Sequence, residues 1–253
     1  MVMRLETVTF DAIDPMALAE FWSDALGGWQ LTSPEDGEVN LDPPVPEGAS
    51  PLAAYPQLSF VRVDEPEVGR TRIHLDLGTE SVEHQEEWAS RLRMLGATDC
   101  DVGQPVDSPF TVLADPEGNP FCVLDPRPEY AEPGTIASIV IAAHDAHALR
   151  DLYREATGWN LVKDDADWVM FQRPDGKGPF LDILTRPTMP AETAKNRVHL
   201  DVAPSLDLEQ AAVVARMEAL GARRADVGQQ GDESWVVLAD QEDNEFCILR
   251  PRD

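Results

Sequence analysis

The sequence is poor in positive charge, in cysteine and in uninterrupted apolar stretches. Among 253 residues, 20 Lys and Arg stand against 47 Asp and Glu, a formal net charge of -27. The imbalance is uneven: residues 1–130 carry 25 acidic and 7 basic side chains, the remainder 22 and 13. A surface this negative repels polyanions, so nucleic acid and anionic membrane surfaces are not expected as partners, and the charge favours solubility. No window approaches the roughly 18 apolar residues of a membrane span, and the start Met1-Val-Met-Arg-Leu-Glu6 has no apolar stretch of signal-peptide length. A cytoplasmic location is therefore expected. Three cysteines, two of them at repeat-equivalent positions in expected strands, make no disulfide framework and read as reduced thiols. A glycine-rich phosphate loop, a nucleophile elbow with Ser-His-Asp order and a zinc-type cysteine pair are also missing.

What the chain does have is a long internal repeat. Residues 72–127 return without insertion or deletion at 197–252. Arg72-Ile-His74-Leu-Asp76-Leu becomes Arg197-Val-His199-Leu-Asp201-Val, and Leu95-Gly-Ala97 becomes Leu220-Gly-Ala222. Val112-Leu-Ala-Asp115 with Asn119-Pro-Phe-Cys122 becomes Val237-Leu-Ala-Asp240 with Asn244-Glu-Phe-Cys247. A repeat of this length is a domain rather than a solenoid unit. Residues 1–127 and 135–253 are thus expected to be homologous domains, joined by a proline-containing linker over 128–134.

Within each domain the periodicity predicts two βαβββ units. Residues 4–12 alternate as a strand, with Val8 and Phe10 on one face and Thr7, Thr9 and Asp11 on the other. Asp14-Pro15 supplies an N-cap with proline at the first helical position, and Met16, Leu18, Ala19, Trp22 and Leu26 recur at helical spacing. Strands follow near 29–32, 38–41 and 57–63, with a proline-rich loop from Pro43 to Pro56. The second unit opens with a strand over 71–77, continues in a helix over 82–95 ending at Gly96, and closes with a hairpin turning at Asp115-Pro-Glu-Gly-Asn119. Residues 136–142 and 148–159 restart the pattern.

Paired βαβββ units, the strand motif His-Leu-Asp, the helix ending Leu-Gly-Ala and the hairpin Asp-Pro-Glu-Gly-Asn-Pro-Phe-Cys together resemble the vicinal oxygen chelate superfamily. That group includes glyoxalases, bleomycin-resistance proteins and extradiol dioxygenases, and the likeness is to its glyoxalase-like branch. The resemblance implies an α+β fold of two tandem domains, each of two βαβββ units, curling mixed sheets around clefts. Whether the two clefts are separate or shared between the domains is left open. In the enzymes of this superfamily a divalent metal sits in the cleft on side chains from four strands. The positions carried over are Thr7, Ser59, His74 and Cys122 in the first domain, and Ser138, Asp182, His199 and Cys247 in the second.

The first set is a poor home for hard or borderline metals, whereas Asp182, His199 and Cys247 form a plausible zinc-type set. Strand parity puts Arg72, His74 and Asp76 on one face, as it does Arg197, His199 and Asp201, so this row is expected to line a cleft. Trp168 and Met170 share a strand face, and Trp235 adds a ring near the end of another strand; flat apolar walls suit an aromatic ligand. The ligand-contacting set is accordingly Arg72, His74, Trp168, Met170, Arg197, His199 and Trp235. The functional expectation is a small-molecule binding protein needing no cofactor, monomeric or homodimeric. One alternative is a lyase, isomerase or dioxygenase using a divalent metal (zinc, iron, manganese or nickel) at Asp182, His199 and Cys247. The other is a degenerate fold kept for protein association.

Overall fold

The computed structural model describes residues 3–32, 37–44, 56–65, 72–130, 135–186, 195–229, 231 and 233–252. Positions 45–55 of the proline-rich loop and 131–134 of the linker lie outside the described residues. The chain runs through four βαβββ units. Unit one is β1 (Met3–Ala12), α1 (Pro15–Leu26), β2 (Gln30–Thr32), β3 (Glu38–Asp42) and β4 (Gln57–Arg62). Unit two is β5 (Ile73–Leu77), α2 (Val82–Leu95), β6 (Thr98–Asp99), β7 (Thr111–Ala114) and β8 (Pro120–Val123). Unit three is β9 (Ile136–Ala143), α3 (Ala146–Thr157), β10 (Asn160–Asp165), β11 (Trp168–Gln172) and β12 (Phe180–Thr185). Unit four is β13 (Val198–Pro204), α4 (Gln210–Ala219), β14 (Arg223–Arg224), β15 (Val236–Ala239) and β16 (Glu245–Ile248).

The helix boundaries follow local chemistry. Asp14 accepts from the Ala17 amide at the start of α1, Ser81 from the His84 amide at the start of α2, and Asp145 from the His147 and Ala148 amides at the start of α3. Gly96 and Gly158 end α2 and α3 in the left-handed region. At Gly158 glycine is demanded twice, by φ of 69° and because a Cβ would meet the Met3 carbonyl oxygen at 2.6 Å, where α3 docks against β1.

The units pair between the repeats rather than within them. The first sheet runs β14-β15-β16-β13-β1-β4-β3-β2, joining unit one to unit four; the second runs β10-β11-β12-β9-β5-β8-β7-β6, joining unit three to unit two. At each centre the opening strands of two units are antiparallel, Thr9 opposite His199 in the first sheet and Val140 opposite His74 in the second. One face of each sheet packs on the helices in a shared core holding Val8, Phe10, Trp22, Leu75, Ile141, Tyr153 and Phe246. The other face of each sheet is turned away from the helices and is the floor of a candidate cleft. Each cleft is therefore built by both repeats.

Two candidate binding clefts

The two units of each repeat are joined by the hairpins. The buried Asp115 carboxylate accepts from the Glu117 and Asn119 amides (3.0 and 2.9 Å), from Asn119 Nδ2 (2.9 Å) and from Trp22 Nε1 of α1 (3.2 Å). Asp240 does the same in the other repeat, with Glu242, Asn244 and the Tyr153 hydroxyl of α3 (3.0 Å). Burial pushes both carboxyls up from their ordinary range, and the ring of donors opposes that shift. Glu117 then accepts from the Ile13 and Asp14 amides ahead of α1, and Glu242 from the His144 and Asp145 amides ahead of α3.

Into these turns reach the two arginines expected to line a cleft. Arg72 Nη1 donates to the Glu242 carbonyl, and Arg197 Nη2 to the Glu117 carbonyl at 2.8 Å, each crossing to the opposite repeat. Strand parity was a poor guide here because both precede the first residue of their strands, where a long side chain is free to follow the backbone's exit. Their guanidinium groups tie the repeats together.

The first cleft has a polar floor. A row across the sheet runs Asn40, Ser59, Thr9 and His199, and a second runs Gln57, Thr7, Asp201 and Cys247. Thr7 and Thr9 both donate to Asp201 Oδ2, at 2.9 and 2.8 Å, which fixes the carboxylate and leaves Oδ1 buried without a hydrogen-bond partner. His199 Nδ1 and Asn40 Oδ1 are likewise buried and unpartnered. Lys195 Nζ donates to Asp11 Oδ2 at 2.5 Å beside this floor.

The second cleft has an apolar floor. Its corresponding rows are Met170, Asp182, Val140 and His74, and Phe180, Ser138, Asp76, Cys122 and Val112. Val140 stands where Thr9 stands in the first cleft, and Met170 where Asn40 does. Val112, Cys122, Leu124, Ala137, Met170 and Tyr130 form one apolar cluster, with Phe110, Trp168 and Phe180 partly buried against it. Tyr130 comes from a single 3-10 turn, Pro128–Tyr130, in the linker. Its hydroxyl donates to Asp182 Oδ2 at 2.5 Å, and Trp168 Nε1 donates to Asp182 Oδ1 at 3.0 Å. Burial lifts the Asp182 carboxyl to about 6 despite those two donors. Burial, and then the Asp182 charge, push the Tyr130 phenol up.

This arrangement corrects the expected site in two places. Asp182 belongs to the second sheet, whereas His199 and Cys247 belong to the first, so the three do not form one metal set. Trp168 and Met170 lie in the second cleft, but Trp235 lies at the edge of the first sheet and is 43% exposed. The superfamily positions re-sort as Thr7, Ser59, His199 and Cys247 in one sheet, and Ser138, Asp182, His74 and Cys122 in the other. Tyr130 was missed altogether. The available signal was an aromatic residue, one of three tyrosines in the chain, beside prolines in a segment otherwise polar.

Two triads nonetheless bring metal-type donors together: His74, Asp76 and Cys122, and His199, Asp201 and Cys247, with their ligand atoms all within 4.8 Å of one another. His74 Nε2 lies 3.3 Å from Asp76 Oδ1, and His199 Nε2 3.5 Å from Asp201 Oδ1. Both carboxylate oxygens are buried and lack hydrogen-bond partners. Imidazole, carboxylate and thiol suit a borderline ion of the zinc type rather than a hard one. Burial, then the neighbouring aspartate, push both thiols well above their ordinary range, so an ion would have to displace the thiol proton to use that ligand.

The profile of the glyoxalase-like domain family matches residues 7–124 and again residues 138–249. The chain belongs to that family. Glyoxalase I from Zea mays superposes on it over 98% of this chain and 92% of its own, with a TM-score of 0.65 at 14% identity. A putative dioxygenase from Bacillus subtilis superposes over 100% of this chain and 86% of its own, with a TM-score of 0.60 at 13% identity. No curated protein sequence matches the chain. Identities this low establish a shared fold and leave the chemistry to the residues. Within the glyoxalase-like frame, buried polar atoms without partners occur on both floors, Asn40 Oδ1, His199 Nδ1 and Asp201 Oδ1 in the first and Asp76 Oδ1 and Ser138 Oγ in the second, and Tyr130 packs into the second.

Proposed function

We propose that this glyoxalase-like protein binds a small polar molecule in the first cleft. The observation that carries the reading is the set of buried, unpartnered atoms on that floor: Asn40 Oδ1, His199 Nδ1 and Asp201 Oδ1. Each such group costs about 1–3 kcal/mol when left unsatisfied, and a ligand bringing hydrogen-bond donors offsets that cost. Asp201 is already aimed by Thr7 and Thr9, so a donor that displaces the groups covering its second oxygen meets a carboxylate already oriented. The reading favours a hydroxyl- or amine-bearing compound over the aromatic one expected for the Trp168 and Met170 wall.

Mass action supplies the test, because any ligand that binds only the native state raises the melting temperature. A panel of small polyols, amines and amino acids is expected to contain stabilising members, and Thr9→Val or Asp201→Asn is expected to remove their effect. A panel that shifts nothing, or shifts that survive both substitutions, would overturn the proposal.

A second reading is a divalent-metal lyase, isomerase or dioxygenase, and the convergence of His199, Asp201 and Cys247 favours it. When bound, a zinc-type ion supplies Lewis acidity toward a ligand oxygen. The protein would hold the ion with these three side chains, and Thr7 and Thr9 would orient Asp201 from behind. Elemental analysis of protein purified without chelator or metal-affinity resin tests it: about one equivalent of metal, lost in His199→Ala, is the expected result. Metal content unchanged by that substitution contradicts it.

A further inference from the structure

The second cleft contains a recognition event already completed inside the molecule. Tyr130 presents a phenol to a carboxylate at 2.5 Å, the carboxylate's other oxygen is taken by Trp168, and the ring lies edge-on to Phe180 with centroids 5.7 Å apart. Met170 and Leu124 complete the apolar wall. Asp182 thus has both oxygens satisfied while the Tyr130 hydroxyl occupies this position, and the aromatic ring carrying that hydroxyl packs in the apolar cluster around it.

The tyrosine is held there by its side chain more than by its backbone. It belongs to no strand, and its amide donates only locally, to the Arg127 carbonyl at 3.1 Å. On the linker's other side is a cavity of about 890 Å³, lined by Thr79, Trp88, Arg127, Pro128, Thr135 and Tyr130 itself. Tyr130 therefore borders both this cavity and the second cleft.

We propose that the second cleft is a binding site for a phenol, and that Tyr130 is its tethered internal occupant. A free phenol makes the same hydrogen bond to Asp182 and the same ring contacts, so it competes directly with the tyrosine. The tether keeps the tyrosine at high effective concentration. If the open state holds about 0.1–10% of molecules, the apparent affinity of wild type for a free phenol falls about 10- to 1000-fold below that of the emptied site. This inference stands apart from the reading of the first cleft, since the two sites share no residue.

Calorimetric titration with p-cresol, and with toluene as the ring lacking the hydroxyl, tests the proposal on the full chain. Tyr130→Ala is expected to bind p-cresol at least about tenfold more tightly than wild type, and to prefer it to toluene. Adding Asp182→Ala, which removes the acceptor without enlarging the side chain, is expected to erase that preference. Near-ultraviolet circular dichroism checks that the variant is folded. If Tyr130→Ala is not, Tyr130→Phe carries the test: lacking the hydroxyl it is a weaker competitor, so p-cresol and toluene affinities both rise above wild type, with p-cresol still the preferred ligand. Equal p-cresol affinity in wild type and the folded variant, or no preference over toluene, overturns the proposal.

Discussion

At the scale of single residues, Asp182 connects burial to a measurable pH dependence. Its carboxyl is lifted from 3.8 to about 6 in the folded chain, chiefly by burial. The folded state therefore binds the proton more tightly than the unfolded state. The associated stability is fully present below about pH 3.8 and is lost as pH rises through about 6, amounting to about 3 kcal/mol at most. Asp182→Asn keeps an acceptor but removes the charge, so the variant's stability relative to wild type is expected to climb between pH 4 and pH 7. Urea unfolding of both proteins across that range measures the difference, and parallel curves would contradict it. Sequence parity found the polar and apolar faces, and with them Thr7, Thr9, His74, His199, Asp76 and Asp201, because alternation along a strand is a local property. It did not find the partner of Asp182, since Tyr130 reaches it from 52 positions away through a linker that no periodicity describes.

At the scale of elements, the hairpin turns do more than reverse the chain. The motif Asp115-Pro-Glu-Gly-Asn119 is legible in the sequence as a turn, and its repetition at Asp240 marks the second copy. What it grips is a tertiary matter: Trp22 in one case and Tyr153 in the other, on helices 93 and 87 positions away. Asp115→Ala orphans the Glu117 and Asn119 amides, Asn119 Nδ2 and Trp22 Nε1 at once, at about 1–3 kcal/mol for each buried donor left unmade. A loss of at least about 3 kcal/mol is expected in denaturant unfolding, and a similar loss for Asp240→Ala. Trp22→Phe leaves the turn's own bonds intact but removes one donor and part of a fully buried ring, so a loss of about 2–4 kcal/mol is expected from hydrogen bond and cavity together. An Asp115→Ala cost below about 1 kcal/mol would show that the turn does not depend on its carboxylate.

At the scale of the whole molecule, the repeat in the sequence and the unit of the sheet are different things. The four βαβββ units and their order were readable, because helical and strand periods, caps and glycine stops are local signals. Which unit pairs with which was not, because every opening strand offers the same alternation and the same free edge to either partner. The structure joins unit one to unit four and unit two to unit three, and this exchange places Asp201 opposite Thr7 with Cys247 next to it, and puts Asp182 in one cross-sheet row with His74, Val140 between them. Both clefts, the proposed polar site and the phenol site, depend on that pairing. A cross-strand disulfide tests it most directly. Arg4 of β1 is the register partner of Ala203 in β13, whereas the repeat-equivalent position within its own half is Gly78. Register partners in an antiparallel pair have Cα atoms roughly 4.5–5.5 Å apart, inside the range a disulfide spans. In a background with Cys100, Cys122 and Cys247 replaced by serine, Arg4→Cys with Ala203→Cys is expected to oxidise to an intramolecular disulfide, seen by intact mass and loss of free thiol. A disulfide formed instead by Arg4→Cys with Gly78→Cys would contradict the exchanged pairing and both sites built on it.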